Sequence, residues 1–367
     1  MARHPPRGTV SGYVLKLTRK STGLTQEALA ERLDVTRASI QGWESSRRPL
    51  GALSAHSSLA LRHQLASLGA SPVLVNLLGV AIDADYHLAQ IIRAAEDVTA
   101  RRAHPLGRVV LTHTITELIT WPVTGVPPRV LASQRPESSP TRHGPVPGSP
   151  VLAADQREAF FAGLCQIADH ACSRDAAQLS ILAHRQACYL TSLDATGTST
   201  ASIRTPRGSR CAPSTWTPHW ADARSQAVAL ARRGDPEPLR AFIEAGAESP
   251  DVELANLNYH AYWVGEIPGH QHSDTFMIED GLVWRGTRLL RHLTERLAVD
   301  RGFIDLNIHI LWLLLTSRPG LCHDDPATAR SLAQQSETLL DENGLSPRSR
   351  RELSSVLFSL RSMGMTA

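Results

Sequence analysis

The sequence of residues 24–50 reads LTQEALAERLDVTRASIQGWESSRRPL, a pattern that predicts two short helices joined by a tight turn. Thr25 and Thr36 each precede an amphipathic run, where a threonine hydroxyl can cap the start of a helix. Asp34 falls where the chain must reverse. Aspartate tolerates the left-handed backbone of such a turn better than most residues, though less well than glycine. The stretch therefore predicts a helix–turn–helix arrangement.

The second predicted helix, residues 36–44, combines an apolar face with an outer face of polar or small side chains. Ile40 and Trp43 stand at i, i+3 spacing and form the apolar face. The outer face has no bulky apolar side chain, so it can lie against a grooved partner. It carries Arg37, Ala38, Ser39, Gln41 and Gly42. A guanidinium fork fits the two acceptors of a guanine edge, an amide reaches a base or a phosphate, and an alanine contacts a thymine methyl group. The pattern predicts that this helix enters the DNA major groove at its N-terminus.

Positive charge is concentrated near the start of the chain. The whole sequence has a net charge of +3, but residues 1–50 hold nine Lys or Arg against four Asp or Glu, and the remainder holds 29 against 31. A basic segment of this kind is the electrostatic footprint of nucleic-acid binding. Arg47 and Arg48 directly follow the second helix and are placed to neutralise phosphates. We assign further phosphate contacts to the polar residues Lys16, Thr36 and Ser39.

This stretch resembles the Xre/Cro/phage-repressor family of bacterial and phage regulators, over roughly residues 12–70. The matching pairs are Thr25-Gln26, Leu29-Ala30, Val35-Thr36, Ser39-Ile40 and Trp43-Glu44. The resemblance implies a five-helix domain in which Gln26 contacts a phosphate and braces the recognition helix. It also implies that Arg37, Ala38 and Gly42 face bases.

Two features depart from the family pattern. Asp34 replaces the usual turn glycine, and Ala38 and Gly42 are shorter than many of the family's base-reading residues. We therefore expect base recognition to depend mostly on Arg37 and Gln41. The alternative interpretation is a helical hairpin that serves only for packing.

The composition describes an ordinary globular protein of 367 residues, 42% hydrophobic and 20% charged, long enough for two or three domains. Arginine outnumbers lysine, as in high-GC bacteria such as actinomycetes. Five cysteines without paired spacing favour a reducing compartment. The N-terminus lacks the apolar core of a secretion signal, and the longest apolar runs are too short to span a bilayer. We expect a cytoplasmic, nucleoid-associated protein with no membrane contact.

Breaks in composition divide the chain into four predicted segments. Residues 1–70 form the helix-turn-helix domain, and residues 71–132 form an intermediate, mostly helical segment. Residues 133–150 are a linker, because 11 of these 18 residues are Pro, Ser or Gly. Residues 151–367 form a helical C-terminal domain for dimerisation and effector sensing. Within it, residues 195–214 are rich in Ser, Thr, Gly and Pro and are expected to form a loop.

The C-terminal segment shows helical periodicity broken by Pro and Gly at helix boundaries. We predict helices over residues 155–172, 175–193, 218–233, 236–246, 251–265, 281–297, 303–317, 326–343 and 347–363. Paired helices of this length predict an all-α body, either a hairpin array loosely like tetratricopeptide repeats or an irregular bundle.

One predicted helix of the body collects polar and aromatic side chains and is our first choice for an effector pocket: Asn256, Asn258, Tyr259, Tyr262, Trp263 and Glu266. Inward-facing amides on an apolar helix need partners, and a ligand can supply them. The alternative is core packing with exposed amides. His270, His272 and Asp274 lack a recognised metal-site spacing, so we expect no metal. No catalytic motif or cofactor-binding loop is present, so we expect neither an enzyme nor a cofactor.

Together these observations predict an all-α transcription regulator of the Xre type. It would bind double-stranded DNA as a homodimer and respond to a small-molecule or peptide effector. The main alternative is a protein-interaction module whose helical array binds a protein partner, with DNA binding secondary. A second alternative is an enzyme fused to a DNA-targeting head.

Overall fold

The computed structural model describes residues 7–134, 149–172, 178–194, 214–246, 249–299, 301–342 and 344–365. These ranges contain seventeen α-helices, several 3₁₀ turns and no β-strand. The all-α prediction is therefore confirmed. The helices are α1 Thr9–Ser21, α2 Gln26–Arg32, α3 Arg37–Glu44, α4 Ala55–Ser67, α5 Pro72–Ala94, α6 Val98–Arg102, α7 His113–Thr124, α8 Ala154–Ala171, α9 Gln178–Thr191, α10 Pro218–Arg232, α11 Glu237–Gly246, α12 Pro250–Trp263, α13 Thr287–Val299, α14 Ile304–Ser317, α15 Leu321–Asp324, α16 Pro326–Asp341 and α17 Pro347–Ser362.

Each of the nine helices predicted in the body is present, mostly with ends that differ by a few residues. The short helix α15 was not predicted. In the intermediate segment, which was predicted to be mostly helical, the apolar run of residues 73–82 is part of α5, which continues for 23 residues. Pro72 stands at the first position of α5, where the missing N–H leaves no hydrogen bond unmade.

The described residues separate into two compact units. The first contains those of Met1–Pro105, His113–Ile167 and Leu193–Ser202. The second contains those of Leu106–Thr112, Ala168–Ser192 and Ile203–Ala367. The four-part division of the sequence groups residues differently and stays a prediction.

In the first unit, α5 is the central helix and packs against α1, α4 and α7. Its Asp85 is buried and accepts hydrogen bonds from the backbone N–H groups of Val10 and Ser11, both at 2.9 Å. A carboxylate at this end of α1 also interacts favourably with the helix dipole. Burial nevertheless raises the pKa of Asp85. Asp85 thus fixes the start of α1 on α5.

Helix α8 approaches α5 closely at Gly163. A Cβ atom at this position would lie 1.9 Å from the carbonyl oxygen of Ile91 on α5. No side chain fits at that separation, so glycine is required for the two backbones to approach this closely. The helix that follows the predicted linker therefore contributes to the unit that contains α1–α5.

In the second unit, α14 is the central helix. It is almost entirely buried and packs against α11, α12, α13 and α17. A hairpin array would place each helix mainly against its neighbours in sequence. Contacts from one helix to four others instead favour the irregular bundle.

Two predicted segments lie largely outside the described residues: the linker at 133–150 and the loop at 195–214. Among the helices that are described, none is long and apolar enough to cross a membrane.

Candidate nucleic-acid interface

The turn between α2 and α3 has the geometry that the sequence predicts. The Thr25 side chain accepts a hydrogen bond from the Ala28 N–H and caps α2. Asp34 has a φ of 52°, in the left-handed region. The N–H groups of Asp34 and Val35 donate to the carbonyls of Glu31 and Ala30, at 3.3 and 3.0 Å. This is a Schellman arrangement, which ends α2 and reverses the chain.

Helix α3 starts at a second cap and packs through one side. The Thr36 side chain accepts from the Ser39 N–H at 3.1 Å, and the two hydroxyls are 2.9 Å apart. Ile40 is fully buried, and Trp43 is half-buried. The predicted apolar face therefore anchors α3, and the opposite side of the helix is left to solvent.

The solvent-facing side of α3 presents most of the residues predicted to read bases. Arg37, Ala38 and Gln41 are all exposed, at i, i+1 and i+4, so they share one surface. Arg47 and Arg48 are exposed just beyond the helix, and Arg47 Nε donates to Ser45 Oγ at 3.1 Å. The surface formed by Arg37, Ala38, Gln41, Arg47 and Arg48 is called the α3 surface below.

Gly42 differs from the other predicted base-reading residues because it is buried. A Cβ atom there would lie 3.3 Å from Cγ and Cδ of Arg48. The Arg48 side chain therefore lies over Gly42, and the atoms next to solvent at this point belong to the arginine. Base contact by Gly42 itself stays a prediction that this arrangement does not favour.

A buried ion pair holds α3 in place. The resemblance to the helix-turn-helix family did not indicate this pair. Glu44, at the end of α3, accepts from Arg19 Nε at 2.6 Å and from Arg19 Nη2 at 3.1 Å. Its second oxygen also accepts from Gln26 Nε2 at 2.7 Å, and Arg19 Nη1 donates to the Leu24 carbonyl. The side chains of Arg19 and Glu44 are only 10% and 4% exposed. This network joins α1, α2 and α3 through Arg19, Gln26 and Glu44. The phosphate contact of Gln26 stays a prediction.

The other residues predicted to contact phosphates are Lys16 on α1, the cap residue Thr36 and Ser39 on α3. Lys16, on α1, is half-buried, with its ammonium 5.3 Å from the centre of the Tyr13 ring. Burial, and then the charge of Lys20, lower the pKa of Lys16. Exposed acids are also present on and after α2, at Glu27, Glu31 and Asp34. The exposed arginines Arg37, Arg47 and Arg48 thus lie on α3 and the segment after it, on the other side of the turn from these acids.

Residues 15–52 match the HTH_3 family, described as helix-turn-helix. The chain carries an Xre/Cro-type helix-turn-helix domain. This domain indicates DNA binding and a role in transcriptional regulation. No curated protein and no solved structure matches the chain significantly.

The six residues of the predicted effector pocket lie in two different environments. Three of them hydrogen-bond α12 or the start of the following loop to other segments. Asn258 Nδ2 donates to the carbonyls of Met277 and Glu279, and the Tyr262 hydroxyl donates to the Val110 carbonyl at 2.7 Å. Glu266 accepts from the backbone N–H groups of Gly286 and Leu289 at the start of α13.

The other three residues lie on a different side of α12, towards α9 and α10. Tyr259 and Trp263 stack with ring centres 6.1 Å apart, and Tyr189 of α9 meets Trp263 edge-on. Asn256 is 4% exposed, and its side-chain oxygen has no hydrogen-bond partner among the described residues. Near the loop, Asp274 pairs with Arg185, and His272 Nδ1 contacts the Arg108 carbonyl. The described part of the chain contains no group of three or more metal-ligating side chains that could hold an ion.

Proposed function

We propose that this protein is a sequence-specific DNA-binding transcription regulator that inserts α3 into the major groove as a homodimer. The observation that carries the proposal is the α3 surface. Helix α3, capped by Thr36 and anchored by Ile40 and Glu44, presents Arg37, Ala38 and Gln41 to solvent within the helix-turn-helix domain. Arg37 reads a guanine, Gln41 reads a neighbouring base or phosphate, and Arg47 and Arg48 neutralise phosphates.

We infer a homodimer because one recognition helix is short. The eight residues of α3 reach only a few base pairs, and a single short site gives little specificity. Two copies related by a two-fold axis read half-sites about 34 Å apart along the duplex. The helical body supplies dimerisation and effector sensing, and the protein acts in the cytoplasm without catalysing a reaction.

Selection of binding sites from random duplexes with the full chain tests this function directly. We expect a pseudo-palindromic site with half-sites about one helical turn apart. The Arg37→Ala variant loses preference at one base position per half-site and about 1–3 kcal/mol of specific binding. Arg47→Ala weakens binding to all sequences alike and lowers the salt slope by about one.

A matched control is Arg351→Ala, which removes an exposed arginine of α17 in the second unit. It is expected to leave both specificity and the salt slope unchanged. Unaltered base preference in Arg37→Ala would remove Arg37 from the reading role. An enriched site with no symmetry, bound by one chain per duplex, would overturn the homodimer.

A further inference from the structure

Two arginines lie deep in the second unit, beside the same tyrosine. Arg185 of α9 and Arg224 of α10 are 3% and 7% exposed. Their guanidinium carbons lie 5.6 and 4.6 Å from the centre of the Tyr259 ring on α12. Three helices therefore converge on a small region that contains two buried cations.

Within the part of the chain that the structure describes, only one of these two arginines has a carboxylate partner. Arg185 pairs with Asp274 through two hydrogen bonds, one of them 2.9 Å from Nε to Oδ2. The nearby His184 is likewise balanced, because its Nδ1 lies 2.6 Å from Asp222 Oδ1. Among the described residues, Arg224 forms no ion pair, and its positive charge is not neutralised by another side chain.

The groups that do contact Arg224 are neutral. Its Nη2 donates to His260 Nε2 at 3.0 Å, and His260 Nδ1 donates to the Asn256 carbonyl at 2.7 Å. A histidine that donates through Nδ1 and accepts through Nε2 is uncharged. Burial, and then the charge of Arg224, hold the pKa of His260 well below its ordinary value. The Tyr259 ring offers a cation–π contact but no negative charge.

Two polar atoms in this region have no hydrogen-bond partner within the described chain. They are Arg224 Nε, a donor, and Asn256 Oδ1, an acceptor. Buried polar groups in folded proteins are almost always hydrogen-bonded, and buried charges are almost always paired. An arginine does not escape this requirement by losing its proton, because its guanidinium stays charged in proteins.

We propose that Arg224 anchors a binding site for a small carboxylate ligand. The carboxylate accepts from Arg224 Nε–H and supplies the negative charge that Asp274 supplies to Arg185. Trp263 of α12, which is partly buried and stacks with Tyr259, lies on the same side of the helix and provides apolar contact for the rest of the ligand. A carboxylate fits better than a phosphate, because Arg224 offers one positive charge, while the nearby Arg232 already donates to Ser192 Oγ and the Tyr189 hydroxyl.

This inference deepens the proposed function, since it assigns a site and a ligand class to the sensing role of the body. Ligand binding itself does not depend on DNA binding. The experiment therefore measures the two separately on the full chain, by thermal unfolding with added anions and by DNA retention in the same buffers.

The probe is sodium acetate, titrated against sodium chloride and inorganic phosphate at equal ionic strength. We expect acetate to raise the unfolding temperature in a saturable way, beyond the effect of chloride or phosphate. Arg224→Met is expected to abolish the saturable part, or to weaken acetate binding at least tenfold. Without acetate, Arg224→Met is expected to unfold no earlier than the wild type, because it removes an unpaired buried charge.

Arg185→Met is the matched control, since it removes an equally buried arginine that has a partner. It is expected to unfold at a lower temperature, because it leaves Asp274 buried and unpaired. Should Arg224→Met not fold, Arg224→Gln replaces it. Absence of a saturable acetate effect in the wild type, or an equal effect in the Arg224 variant, overturns the site. A phosphate-selective effect that depends on Arg224 overturns the ligand class. Acetate binding that leaves DNA retention unchanged overturns the sensing role and leaves the DNA-binding function intact.

Discussion

Replacing Glu44 by glutamine tests whether the buried ion pair positions the recognition helix. The substitution keeps the size of the side chain but removes the charge that Arg19 contacts at 2.6 and 3.1 Å. Arg19 is only 10% exposed, so it would remain charged and largely desolvated without a counter-ion. Breaking a buried pair from one side costs roughly 3–5 kcal/mol, much more than an exposed pair contributes.

Hydrogen–deuterium exchange of the full chain, read by mass spectrometry on peptides from α1–α3, measures this cost locally. A loss of 3–5 kcal/mol raises the exchange rate of these peptides roughly a hundredfold to a few thousandfold. DNA affinity is expected to fall with it, because α3 loses its connection to α1 and α2.

The chain provides a matched control in Glu337→Gln. Glu337 pairs with Arg361 at 2.8 Å, but these side chains are 42% and 56% exposed. The same substitution there is expected to cost less than about 1 kcal/mol. The double variant Arg19→Met/Glu44→Leu removes both charges and should recover most of the lost stability. The burial argument is refuted if Glu44→Gln accelerates exchange in α1–α3 no more than Glu337→Gln accelerates exchange in α16 and α17.

Three further predictions concern the first unit, and each is measured by chemical unfolding of the full chain. At Asp34, where φ is 52°, the glycine variant should be at least as stable as the wild type. The valine variant should lose about 1–2 kcal/mol of stability, because a branched Cβ is disfavoured in this conformation. Equal stability of all three proteins would contradict this. Burial lowers the pKa of His87 to about 4, so the unfolded state takes up the proton first as the pH falls. The neutral form of His87 therefore contributes about 3 kcal/mol to the free energy of unfolding above pH 6.5, and this contribution is lost as the pH falls towards 4. His87→Leu should reduce the dependence of the unfolding free energy on pH in this range, and an unchanged dependence would refute the reasoning. Gly163→Ala should cost at least about 2 kcal/mol of stability, because the new Cβ would lie 1.9 Å from the Ile91 carbonyl oxygen. Gly79→Ala in α5 is the control: its Cβ would have no neighbour closer than 3.9 Å, so the variant should be as stable as the wild type or more stable.

Local signals predicted the local structure of the interface. The caps at Thr25 and Thr36 and the left-handed turn at Asp34 each depend on a few adjacent residues, and all three are present in the structure. The exposure of Arg37 and Gln41 follows from the same periodicity that buries Ile40.

Features that depend on distant residues were not predictable in the same way. Glu44 appeared in the sequence only as part of a motif, because its partner Arg19 lies 25 positions earlier on another helix. Asp85 lies in an apolar run, and nothing near it in the sequence indicates that it caps α1, 75 positions away. The buried charge of Arg224 likewise arises only when three helices come together.

The close approach at Gly163 has a practical consequence for anyone who shortens the gene. A stop codon placed before residue 133 preserves every residue of the helix-turn-helix match, yet it deletes α8. The backbone of α5 around Ile91, which α8 approaches too closely at Gly163 to leave room for a Cβ atom, would then face water. A minimal DNA-binding fragment should therefore be cut well after the proline-rich stretch, with the whole of α8 retained.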